Sequence, residues 1–137
     1  MTLSGRNYYE VYLLLLTLGW AIMSWIIGDG ESIDAVFPAW GRYVFFGGLI
    51  LASTSALVGI ALGTLTGLLL ERAAMFSLAG LCGCFAIVVA FGADLAQGLY
   101  VVPLLATYAA VHYHRAGQVR RDIDRTRAQL RAMGEAP

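Results

Sequence analysis

The 137-residue chain has no lysine: all nine of its basic residues are arginine, and charged residues make up only 13% of it. Soluble domains carry roughly a quarter charged residues, so this shortage excludes an ordinary water-facing surface. Cysteine is also scarce. Cys82 and Cys84 stand two apart inside an apolar run, which on a helix points them in nearly opposite directions. That excludes a bridge between them, and the spacing fits no metal motif; they read as two small buried hydrophobes. The chain pairs no nucleophile with a base, has no phosphate-binding glycine loop and holds no ligand cluster with metal spacing. The expectation is a non-enzymatic protein without cofactor or metal.

What the chain has is long stretches without charge. They cover residues 11–28, 43–70 and 73–93, of 18, 28 and 21 residues. Runs of about 18 or more apolar residues are candidate membrane spans. The expected fold is all-α: a polytopic membrane protein with a four-helix transmembrane domain over residues 1–114. A C-terminal amphipathic, arginine-rich cytoplasmic tail helix covers 115–137. Span 1 is read from about Tyr9 to Ile27, with Tyr8, Tyr9 and Tyr12 at one interface and Trp20 and Trp25 toward the other. Arg6 before it resembles the start of a secretory signal, but no small-residue cleavage site follows, so the span reads as uncleaved. Residues 28–42, with Asp29, Glu31 and Asp34, read as a polar loop.

The stretch "GIALGTLTGLLLE", residues 59–71, decides where spans 2 and 3 meet. Gly59, Gly63 and Gly67 stand four apart, a spacing that suits either close-packed membrane helices or a turn. The 28 charge-free residues 43–70 would make a helix of about 42 Å. Crossing an apolar layer of about 30 Å would then need a tilt of about 44°, beyond the usual range. The excess matches the piece from Gly63 to Leu70, and "GTLTG" holds good turn and cap formers. Span 2 is therefore expected to end near Leu62, with a turn at Gly63–Gly67 that leaves only Gly59 of the triplet for packing. Span 3 is expected to start between Leu68 and Arg72 and to end near Phe91. Span 4 follows from about Asp94 or Leu95 to Tyr113, kinked at Pro103.

Small residues recur four apart elsewhere: Gly48, Ala52 and Ala56, and Ser55 with Gly59, on span 2; Ala79 with Gly83, and Gly80 with Cys84, on span 3. Such spacing lets membrane helices approach closely, and these residues are the candidate packing faces. Arg6 and Glu10, four apart at the start of span 1, read as an interfacial ion pair. Glu71 and Arg72 read as anchors at the start of span 3, the carboxylate favoured by the helix dipole and the guanidinium reaching headgroups. His112 and His114 read as interfacial polar residues.

Six of the nine arginines lie in the last 23 residues. Basic residues concentrate on the cytoplasmic side, which places both termini and the 2–3 connection in the cytoplasm of a bacterial inner membrane; only Arg42 sits awkwardly. In the tail, Val119, Ile123, Thr126, Leu130 and Met133 recur at spacings of 4, 3, 4 and 3, a heptad-like seam for oligomers or a protein partner. Arg120 and Arg121 would meet anionic lipid, at about 1 kcal/mol each. Three acids cut the tail's charge to +3, which excludes nucleic acid as a partner.

The layout, with "GLLLERA" at residues 67–73 and "GQVRRDIDRTRAQLRA" at 117–132, resembles the small four-span membrane proteins of actinobacterial phages, often labelled holin-like. The resemblance implies a homo-oligomer that accumulates in the inner membrane and opens lesions for a lytic enzyme. A second expectation is a small proton-coupled transporter, similar in size to the small multidrug resistance family. That family's mid-span glutamate has no counterpart at positions 14–24. A third is an accessory or scaffold protein recruiting partners through its tail.

Overall fold

A computed structural model of the chain describes residues 8–27, 39–92, 95–132 and 134. Expectations that concern Arg6, Met133, the acidic residues of the 28–38 loop and Asp94 lie outside them. The described residues form four helices: α1 (Tyr8–Ile27), α2 (Ala39–Leu62), α3 (Leu65–Gly92) and α4 (Leu95–Ala132). They are all-α, and α1, α2 from Trp40, and α3 are each long and apolar enough to cross a membrane. α4 is not among those three. It runs on without a break from the apolar part into the tail and continues through Pro103.

The α2–α3 junction is tighter than the sequence reading placed it. Gly63 has φ +61°, a left-handed conformation that a β-carbon disfavours, and it ends α2. Thr64 caps α3: its Oγ1 accepts from the Gly67 amide at 3.1 Å, and its carbonyl accepts from the Leu68 amide at 3.0 Å. A threonine in this role satisfies an otherwise orphaned helix donor. The turn is thus confined to Gly63 and Thr64, and Gly67 lies inside α3. There it packs after all. A β-carbon on Gly59 would fall 2.6 Å from the Gly67 carbonyl oxygen, and one on Gly67 would fall 2.5 Å from the Gly59 carbonyl oxygen. The triplet is both a turn and a seam: the middle glycine reverses the chain, and the outer two let the helices touch backbone to backbone.

Consecutive helices pack against one another, α1 on α2, α2 on α3 and α3 on α4. Aromatic rings fill the first two contacts away from the turn. Trp20 meets Phe46 edge-on at 5.5 Å, Trp25 meets Tyr43 at 5.3 Å, and Phe45 stacks on Phe85 at 4.2 Å. Such pairs add about 0.5–1.5 kcal/mol each beyond the area they bury. The core runs through Leu14, Ala21, Phe46, Leu49, Ala56, Met75 and Leu78. Arg42, the exception in the charge count, has a local partner: its Nη2 donates to the Ser24 carbonyl at 3.1 Å, in the last turn of α1, where no intrahelical donor remains.

Closure between the first and last helices is different. Among the described residues no Cα of α1 lies within 8 Å of α4. The two meet through long side chains alone, and a crevice separates them.

A charged crevice as the candidate functional site

The inner face of α1 carries Glu10, Leu14, Thr17, Ala21 and Ser24, a run at helical spacing whose polar members are seven apart. This repeat keeps one stripe turned toward the bundle. It sets Glu10 and Thr17 opposite the arginine and tyrosine of α4.

At one end of the crevice, Arg115 of α4 bridges two other helices. Its Nη2 lies 2.9 Å from Oε2 of Glu10 on α1 and 3.1 Å from Oε1 of Glu71 on α3, and its Nη1 donates to Gln118 Oε1 at 3.1 Å. Glu71 is fully buried. A buried carboxylate is costly unless it is paired, and the guanidinium supplies an opposite charge.

Seven residues earlier on α4, the Tyr108 hydroxyl is hydrogen-bonded to Thr17 Oγ1, and the Leu13 carbonyl accepts from Thr17 Oγ1 at 2.7 Å and from the Tyr108 hydroxyl at 3.4 Å. Between these bridges stands His112, 2% exposed, with its ring edge-on to Tyr108 at 4.6 Å. Its Nδ1 lies 3.3 Å from the Met75 sulfur. A thioether can only accept, so Nδ1 carries the proton and Nε2 is left as an acceptor. That nitrogen is buried and has no hydrogen-bond partner. A cavity of about 280 Å³ lies here, lined by Glu10, Leu13, Val111, His112, Arg115 and Gln118 among others.

These placements differ from the sequence reading at several points. Glu10 is bonded to Arg115 across the bundle. Glu71 does not sit at a helix N-terminus, because Thr64 starts α3 almost two turns earlier; it is an interior residue and gains little from the dipole. Arg72 lies with its guanidinium carbon 5.5 Å from the Phe76 ring centre, a cation–π contact. His112 is buried, whereas His114 is exposed and meets Gln118 at 3.4 Å. By sequence Arg115 counts as one more tail arginine. The signal that could have found it is its placement one helical turn beyond Val111, on the α4 stripe that also carries Tyr108 and His112.

No family model, curated protein or solved structure matches the chain.

The candidate packing residues divide into two groups. Gly48 faces Leu81, whose Cδ1 would sit 2.9 Å from an added β-carbon; Ala52, Ala56 and Gly59 are buried along α2, and Ser55 is half-buried beside them. Ser53 is fully buried, and its hydroxyl has no hydrogen-bond partner. Gly80 and Gly83 have nothing within 4 Å of an added β-carbon. With Ala79, Gly80 lines an open groove between α3 and α4, walled by Ala109, Ala110, Phe76 and Tyr113. In the tail, Val119 and Ile123 are buried within the chain itself, Leu130 is half-buried, and Arg120 and Arg121 are exposed. Of the cysteines, Cys82 is buried and Cys84 is exposed, and both are free.

Proposed function

We propose that the chain is a non-enzymatic protein of the bacterial inner membrane that crosses it four times, with both termini in the cytoplasm, and that acts as a homo-oligomer in the manner of a holin. α4 lies antiparallel along α3, so where α3 spans the apolar layer, the first half of α4 occupies the same depth. The arginines of its second half then extend into the cytoplasm. Arg115, Glu71 and Glu10 fall at that same end.

The observation that carries self-association is the open groove of Ala79, Gly80, Ala109 and Ala110 on the outer side of α3 and α4. Small residues facing outward let a second helix approach closely, and packing of this kind drives association within lipid. The glycines of the α2–α3 seam are already used inside the chain; Gly80 of this groove has nothing within 4 Å of an added β-carbon. The tail is a weaker candidate for recruiting partners, since Val119 and Ile123 are covered by the chain itself.

Gly80→Leu together with Ala110→Leu should abolish crosslinked oligomers in membranes while leaving insertion intact. Inducing the unaltered chain should collapse the membrane potential abruptly, and the double variant should not. Normal growth of cells at high expression of the unaltered chain would rule out the holin reading. A proton-coupled transporter is less well supported, because Glu10 is engaged by Arg115 and stands two residues from the start of α1.

A further inference from the structure

α1 is held to the bundle unevenly along its length. Its second half is fixed on α2. The Trp20 ring meets Phe46, and the Trp25 ring meets Tyr43 and lies 3.1 Å from where a β-carbon on Gly47 would stand. Arg42 Nη2 donates to the Ser24 carbonyl beside them. The first half of α1 faces α4 across the crevice, where no Cα of the two helices comes within 8 Å among the described residues. Side chains make the joint there. Glu10 reaches Arg115, and the Tyr108 hydroxyl reaches Thr17 Oγ1 and the Leu13 carbonyl.

The joint is built from groups that keep partners when it parts. Arg115 uses one nitrogen, Nη2, for both carboxylates. On losing Glu10 it keeps Glu71 at 3.1 Å, and its Nη1 keeps Gln118. Glu10 stands in the first turn of α1 with its side chain 22% exposed, so water or headgroups can take it up. Glu71, fully buried, is not so placed. Thr17 retains its bond to the Leu13 carbonyl, within its own helix. The Tyr108 hydroxyl gives up its bonds to α1 and meets the water that enters. Parting the joint therefore leaves no buried charge without a counter-charge, which is the expensive outcome in a low-dielectric interior.

We propose that α1 is a swinging arm. It pivots on α2 at its Ser24–Trp25 end and opens the crevice at its Glu10 end. Glu10 and Arg115 form the latch, and Glu71 holds the arginine's charge balanced when the latch is released. Hinges of this kind sit at the ends of elements, and the swinging body stays rigid. Tyr12 lies about 18 Å along the helix from Ser24, so a swing of about 20°, inside the usual spread of membrane-helix tilts, moves it about 6 Å. The open arm gives water a cleft about 10 Å deep, from Glu10 to Thr17, and uncovers the inward stripe of α1 and the Tyr108 and His112 rings of α4. The swing does not rest on self-association, whose groove lies on the outer side of α3 and α4.

Spin labels on the full chain in lipid nanodiscs read the swing, with labelled chain diluted in unlabelled chain so that the distances are intramolecular. The background carries Cys82→Ala and Cys84→Ala. One label pair sits at Tyr12 and Val111, across the crevice, and a second at Met23 and Val44, beside the pivot; all four positions are exposed. Glu10→Gln should lengthen the first distance by about 6 Å and leave the second unchanged. Glu71→Gln should leave both unchanged, because the latch itself is intact. A purely structural charge cluster would loosen as much with either substitution. Thr17→Val, which removes the second bridge and keeps the latch, should open the crevice less than Glu10→Gln. An unchanged Tyr12–Val111 distance in Glu10→Gln would overturn the proposal. So would lengthening of both pairs together, the mark of α1 detaching as a whole, and so would equal opening by Glu71→Gln. If Glu71→Gln fails to fold, Glu10→Gln read on the two label pairs still decides.

Discussion

The α2–α3 seam and the α1–α4 crevice both join neighbouring antiparallel helices, by opposite means. At the seam, Gly59 and Gly67 bring two backbones into direct contact, with no room for a side chain. At the crevice the backbones stay apart, and Arg115, Glu10, Tyr108 and Thr17 span the gap. A close seam is specified by what is missing, namely β-carbons. A wide gap needs long polar side chains, each of which must be paired, and it leaves space that a ligand can enter. The seam is therefore read as scaffold and the crevice as the place where chemistry is available.

The largest effect should come from the crevice. Arg115→Ala removes the cation paired with the buried Glu71 and with Glu10 and should destabilise the fold by about 3–5 kcal/mol, measured as loss of helical circular dichroism during SDS titration in micelles. Glu71→Met with Arg115→Met should lose less than Arg115→Ala alone. A double variant as unstable as the single would mean that packing, and not charge, holds the crevice.

Next is the seam. Gly59→Ala drives a β-carbon into backbone atoms that cannot turn aside, and a loss of about 1–3 kcal/mol is expected in the same titration. Gly80→Ala and Gly83→Ala meet open space, so they should be neutral or stabilise by up to about 1 kcal/mol through helix propensity. Equal losses at all three sites would erase the distinction between inner and outer glycines.

The turn comes third. Gly63→Ala forces a β-carbon into the left-handed region at about 1–2 kcal/mol, and Thr64→Ala removes the α3 cap at about 1 kcal/mol; thermal unfolding in detergent would register both. Smallest is Tyr108→Phe, which removes one bridging hydroxyl for about 0.5–1.5 kcal/mol. Its sharper readout is wider separation of α1 and α4, measured between spin labels at Tyr12 and Val111. An unchanged distance would mean that the Glu10–Arg115 bridge alone sets the gap.

Much of the fold is legible in the residues. The end of α2 at Leu62 follows from helix length against bilayer thickness, and α1 follows from a charge-free run between aromatic belts. The start of α3 is less legible. Thr64 and Thr66 are equally good caps by type, and which one caps depends on where Gly63 turns. Gly67 is ambiguous for the same reason, since a helix interior and a turn both accept glycine. The crevice was the least legible part. Glu10, Glu71 and Arg115 are separated by tens of residues, and each has a plausible bland role in its own neighbourhood: an interfacial ion pair, a helix start, a basic tail.

The sequence alone determined that the chain is helical, that its charge-free stretches are each long enough to cross most or all of an apolar layer, and that its arginines gather at one end. These are properties of composition and period, which act locally along the chain. Only the tertiary structure decided which glycines touch, which face of α4 turns toward α1, and that one arginine serves two carboxylates. Those outcomes depend on the relative rotation of packed helices, and a rotation of one residue, about 100°, would exchange a buried partner for a lipid-facing one.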